Sequence, residues 1–191
     1  MLEVVLQSLL IVLLPVILIA ASWIDLKQHR IPNLLSFSVL IAGVSLQFLL
    51  YGWEGLTYSL GGMAVGFLFF IPFYIKGGMG AGDVKLMAAI GAFLGFKGAL
   101  LAVGLTLFAG SIMGIFLLVI LGGIKTAMHR YYTTLKQLLY TQNINISYIP
   151  PPSNEAAALK FPYASAICVG TIAAMWYLSM FSGLTKQIAG S

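Results

Sequence analysis

A chain of 191 residues that is 60% hydrophobic and only 8% charged, with a mean hydropathy of +1.00, cannot cover a water-facing surface. Soluble domains carry about 25% charged residues, so the composition excludes them and points to one all-α integral membrane domain over residues 1–191. The net charge of +5 reads as a topology signal and not as a nucleic-acid patch, and the single cysteine, Cys168, excludes an internal disulfide or a multi-cysteine zinc site.

A membrane-spanning helix needs about 20 mostly apolar residues. Val4–Ile24 is the first such segment. Its "IAAS" resembles a signal cleavage site, but Glu3 precedes the apolar run while Lys27 and Arg30 follow it, a charge order that retains the helix and puts the N-terminus outside. Leu34–Leu50 and Leu56–Ile75 come next. The long apolar stretch from Val84 is interrupted at "GFKG" (Gly95–Gly98) and divides into Val84–Phe96 and Ala99–Ile124. Pro162–Phe181 completes a predicted bundle of six transmembrane helices, without the alternation of barrel strands.

This count places both termini outside (periplasmic). Eight of the ten basic residues, Lys27, Arg30, Lys76, Lys85, Lys125, Arg130, Lys136 and Lys160, then fall inside, and only Lys97 and Lys186 fall outside, with Glu3 and Glu54. The inside segments are Asp25–Asn33, Lys76–Asp83 and a cytoplasmic loop, 125–160, between the fifth and sixth helices. "KTAMHRYYTTLKQLLY" in that loop reads as a short interfacial helix, and the triple proline after it as an extended connector. Gly62/Gly66, Gly91/Gly95 and Gly110/Gly114 are small-xxx-small pairs that suit close helix packing in lipid.

"GGMGAGDVK" (Gly77–Lys85) delivers one of the chain's two aspartates, Asp83, to the start of the fourth predicted helix; the other, Asp25, ends the first. Both stand at the inner face. A carboxylate in apolar surroundings is costly and marks a functional position. Two that meet across helices share a proton, one serving as base toward water and the other as acid toward the leaving group. Each aspartate also has a plainer reading, as a helix-end charge paired with Lys27 or Lys85. The glycines around Gly80 and Gly82 supply close approach and backbone freedom beside Asp83. They match neither a P-loop nor a dinucleotide fingerprint.

"DLKQHRIPN" after the first helix, "GAGDVK" opening the fourth and "FPYASA" opening the last resemble the type IV prepilin peptidases, the GxGD aspartic proteases of membranes. The resemblance implies Asp25 and Asp83 as the catalytic pair, Gly80 and Gly82 as the motif glycines, and supporting places for Pro32, Asn33 and Lys85. It implies removal of a basic leader from prepilin precursors at the cytoplasmic face of the bacterial inner membrane, with no cofactor. One cysteine and nine residues between the first two helices imply a peptidase-only form similar to the enzymes of Flp (tight-adherence) pili, with a preflagellin-type peptidase as the alternative.

Two other classes compete: a proton-coupled transporter using the aspartates as a relay, and a non-enzymatic membrane subunit of a pilus or secretion machine. The first would place its ionisable groups nearer mid-helix and show repeated halves. His29 and His129 lie in different inside loops, and no metal is assigned. The expected partners are a prepilin precursor and membrane lipid, with no nucleic acid.

Overall fold

The computed structural model describes residues 2–28, 31–120, 128, 132 and 163–189. The loop expected at 125–160 lies outside the described residues, apart from Met128 and Tyr132, which are helical and exposed. So do its interfacial helix and proline connector, and His29, Arg30, Phe161 and Pro162. The chain falls into two compact units. The first comprises Met1–Gly110 with Pro162–Ser191, and holds everything that concerns the site. The second is Ser111–Phe161, whose described part is chiefly the last turns of α3.

Four helices follow one another: α1 (Leu2–Gln28), α2 (Asn33–Ile75), α3 (Ala81–Ile120) and α4 (Tyr163–Ala189), with no strand among the described residues. Asn33–Ile75 and Ala81–Leu117 are long and apolar enough to cross a membrane, and Tyr163–Ser179 is a shorter apolar stretch. Large apolar side chains such as Phe37, Leu49, Phe108, Ile115 and Trp176 point outward. Helices apolar on all sides belong in a hydrocarbon solvent.

The structure shortens the predicted joints to single residues. The predicted helices Leu34–Leu50 and Leu56–Ile75 form one element, α2, whose only non-helical residue is Gly52 (φ 59°, ψ −136°). Val84–Phe96 and Ala99–Ile124 likewise merge into α3 around Gly95 (φ 66°, ψ −175°), as far as the described residues extend. Both glycines adopt left-handed φ that side chains resist. One residue of this kind redirects the chain where a loop was expected.

The contacts trace both redirections as reversals. A Cβ on Gly55 would collide with the Gln47 carbonyl, residues that a straight helix would hold about 12 Å apart. Along α3, Asp83 precedes the turn, and the chain then returns past α4: Gly98 lies against Leu178, Thr106 against Gly170 and Gly110 against Ala166. The two halves of α2 flank the first half of α3. Gly62 backs onto Gly91 and Gly66 onto Met87, so closely that a Cβ at either would strike a backbone carbonyl, and Gly43 seats the Phe93 ring. Two of the three small-xxx-small pairs thus lie at close helix contacts. Among the described residues Gly114 meets nothing within 4 Å, and Gly110 only the Ala166 side chain.

Helix α1 packs on α4 and touches α2. The core is aliphatic around Leu14, Leu18, Leu86, Met87, Ile90 and Ile167, with Phe70 fully enclosed.

Candidate active site

Helix α2 ends in a Schellman motif. Gly77 (φ 73°) takes the left-handed position after the last turn, donating its N–H to the Tyr74 carbonyl at 2.9 Å, while the Gly78 N–H reaches Phe73 at 2.9 Å. The glycine stretch therefore divides its work. Gly77 stops α2, and Gly80 precedes α3.

Asp83 sits in the first turn of α3, three residues beyond Gly80. Its N–H donates to the Gly80 carbonyl at 3.2 Å, and its Oδ2 accepts the Gly80 N–H at 3.1 Å. An acidic side chain reaching back to the cap N–H satisfies one orphan donor and favours negative charge at the positive helix end. Only Oδ2 is engaged. Asp83 is 7% exposed, and its Oδ1 is buried with no hydrogen-bond partner among the described residues.

Asp25 occupies the last turn of α1 and is also 7% exposed. The predicted first helix ended at Ile24; α1 runs on to Gln28 and carries the aspartate within it. Its Oδ2 accepts a long bond, 3.4 Å, from the Ala164 N–H in the first turn of α4. Such first-turn donors have no partner in their own helix. Ser22, one turn earlier on α1, donates its hydroxyl to the Ala164 carbonyl at 2.9 Å. Ala164 is thereby held on both its polar backbone atoms. The two carboxylates lie within electrostatic reach, the charge of Asp25 acting on Asp83.

The lysines are occupied elsewhere. Lys85 donates to Asn33 Oδ1 at 3.0 Å, tying the start of α2 to the start of α3. Lys27 lies 5.0 Å over the Trp23 ring. Pro32 is the cap residue before α2 (φ −58°, ψ 131°), its carbonyl accepting from Leu35 at 3.1 Å and Ser36 at 3.4 Å.

Gly80 and Gly82 act here through close approach, since neither has a positive φ. A Cβ on Gly80 would stand 3.1 Å from Asp83 Oδ2, and one on Gly82 would stand 3.0 Å from the Ile31 Cβ. Gly82 thus lets the α1–α2 connection lie against the aspartate's turn. Ser22, Ile31 and the Ala164 backbone are positioning groups that residue-type reasoning missed. Only the "FPYASA" stretch hinted at Ala164.

Beside this cluster, Ser36, Leu40, Met63, Ala64, Phe67 and Lys85 help line an apolar groove of about 410 Å³ between α2 and α3.

The profile of the type IV leader peptidase family matches residues 12–121, a span that contains both aspartates and the glycine turn. Proteins named prepilin leader peptidase/N-methyltransferase are similar over part of the chain. That of Aeromonas hydrophila is 33% identical over 120 residues, covering 59% of this chain and 41% of its own length. That of Myxococcus xanthus (strain DK1622) is 34% identical over 116 residues, covering 56% and 33%. The chain thus spans about two fifths or less of these relatives. No solved structure matches it. With the family profile covering more than half its length, this chain belongs to the type IV leader peptidase family.

Proposed function

We propose that this protein is an aspartic endopeptidase of the bacterial inner membrane that removes the basic leader from prepilin-like precursors at the cytoplasmic face, with Asp25 and Asp83 as its catalytic pair. The observation that carries the reading is the pair itself: two buried carboxylates in electrostatic reach, one with an unengaged oxygen. Asp83 Oδ1, buried and without a hydrogen-bond partner among the described residues, is the oxygen that receives a water admitted with the substrate. One carboxylate takes a proton from that water as its oxygen bonds to the scissile carbonyl carbon. The other gives a proton to the departing amine as the carbon–nitrogen bond breaks, and the pair ends with one proton between them, as it began. The Gly80 and Ala164 N–H groups hold the second oxygens and so fix both side chains. Gly82, Pro32, Asn33 and Lys85 build the turn and its neighbour.

The topology we propose has six crossings with both termini outside. At 43 residues, α2 is about 65 Å of helix, twice a hydrocarbon core of about 30 Å. The reversals at Gly52 and Gly95 make each of α2 and α3 two crossings. Asp25, Asp83 and Lys85 then share the end where basic residues collect.

The test is cleavage, in liposomes, of a precursor bearing a basic leader and an apolar helix. Asp25→Asn and Asp83→Asn are each expected to lose at least about 1,000-fold in rate while keeping the wild-type thermal midpoint. Cleavage at the wild-type rate by both variants overturns the catalytic pair. A preflagellin-type leader cut in preference to a pilin-type leader would reassign the substrate and leave the chemistry intact.

A further inference from the structure

At the other end of the helices, the two reversals face each other across a cavity of about 500 Å³ lined by Gln47, Tyr51, Glu54, Gly55, Tyr58, Phe93 and Leu94. It is built tightly. The Tyr58 ring fills the space a Cβ on Gly95 would need, and Gly55 abuts the Gln47 carbonyl. Gln47 is 6% exposed and clamped, its Nε2 donating to the Phe93 carbonyl at 2.7 Å. Its Oε1 remains a buried acceptor with no partner among the described residues. Glu54 adds a carboxylate, and no basic residue lines the cavity among the described residues.

The wall therefore offers acceptors and aromatic rings. An amide oxygen and a carboxylate call for a ligand that donates hydrogen bonds and carries positive charge. Three aromatic rings favour an organic ammonium, whose charge is attracted to ring faces, over a hard metal ion, which needs six or more oxygens.

We propose that this cavity binds an ammonium group, with Glu54 and Gln47 Oε1 as acceptors and Tyr51 and Tyr58 as its aromatic walls. The site is independent of the aspartate pair. Residues 83 and 93 are separated by ten positions, about 15 Å of helix. A phospholipid headgroup and a free amine both present this chemistry.

The full chain, purified in detergent, would be titrated with ethanolamine and reconstituted in nanodiscs of phosphatidylethanolamine with phosphatidylglycerol, or of phosphatidylglycerol alone. Thermal midpoint and retained lipid, the latter by native mass spectrometry, would be read for wild type, Glu54→Gln and Tyr51→Leu. Wild type is expected to retain phosphatidylethanolamine about tenfold over phosphatidylglycerol, with Glu54→Gln at parity and Tyr51→Leu between. Stabilisation by ethanolamine that Glu54→Gln abolishes, without a lipid preference, identifies a free amine as the ligand and supports the site. Equal behaviour of wild type and Glu54→Gln in every arm overturns it.

Discussion

Gly80 serves Asp83 by what it lacks. A methyl group there would stand 3.1 Å from Oδ2, close enough to push the carboxylate off the N–H that holds it. Because φ at this position is not left-handed, alanine does not strain the backbone. Gly80→Ala is therefore expected to fold with an unchanged thermal midpoint and to cut precursor about 10- to 100-fold more slowly, the loss lying in kcat. A collapsed midpoint would show instead that the glycine is needed for folding. The aspartates and glycines were legible because a charge or a missing side chain in an apolar chain stands out by type. The Ala164 N–H was not. Every residue but proline carries that donor, and its contact with Asp25 joins positions 139 apart, beyond the reach of local pattern.

The helices were legible as apolar runs but misdrawn at their joints. "GFKG" was read as a gap because glycine and lysine interrupt hydropathy, whereas only Gly95 leaves helical geometry. At Gly52 the sequence has Trp and Glu on one side and Tyr on the other, which lowers hydropathy over several residues, whereas only Gly52 leaves helical geometry. What pattern reading cannot supply is which helix meets which. The pairing of α2 with the first half of α3 rests on carbonyls fitted against Gly62 and Gly66. That pairing also frames the groove that Lys85, two residues from Asp83, helps line. A precursor whose scissile bond stands at the aspartates continues into an apolar helix, and the groove is the apolar surface available to it there. Ala64→Trp fills the groove from an exposed position. It is expected to raise KM for the helix-bearing precursor about tenfold and to leave cleavage of a leader peptide lacking the helix unchanged. Equal losses on both substrates would remove the groove from substrate binding.

For the molecule as a whole, the basic residues and the reversals argue for the same orientation. In a Cys168→Ser background, Trp53→Cys, next to the Gly52 reversal, is expected to react with an impermeant maleimide on intact cells. Lys76→Cys, in the turn before Asp83, is expected to react only after the membrane is opened. The opposite pattern would invert the topology and put the aspartates outside. Composition made the membrane class legible from the first, because 8% charge leaves no alternative. Residues 125–160 offered a basic amphipathic pattern that could be read only locally.

Asp25 is carried by α1 and steadied by α4, whereas Asp83 is carried by the first half of α3, clasped by α2. No hydrogen bond joins the Asp83 side chain to α1 or α4 among the described residues. The spacing of the pair is thus a matter of how far one group of helices rides up or down against the other. That offset is a mechanical variable of the bilayer, since helices tilt and slide to match the local thickness of the acyl layer. If the proposed pair is catalytic, its competence becomes a property shared by protein and lipid, tunable through acyl-chain length without altering a single residue.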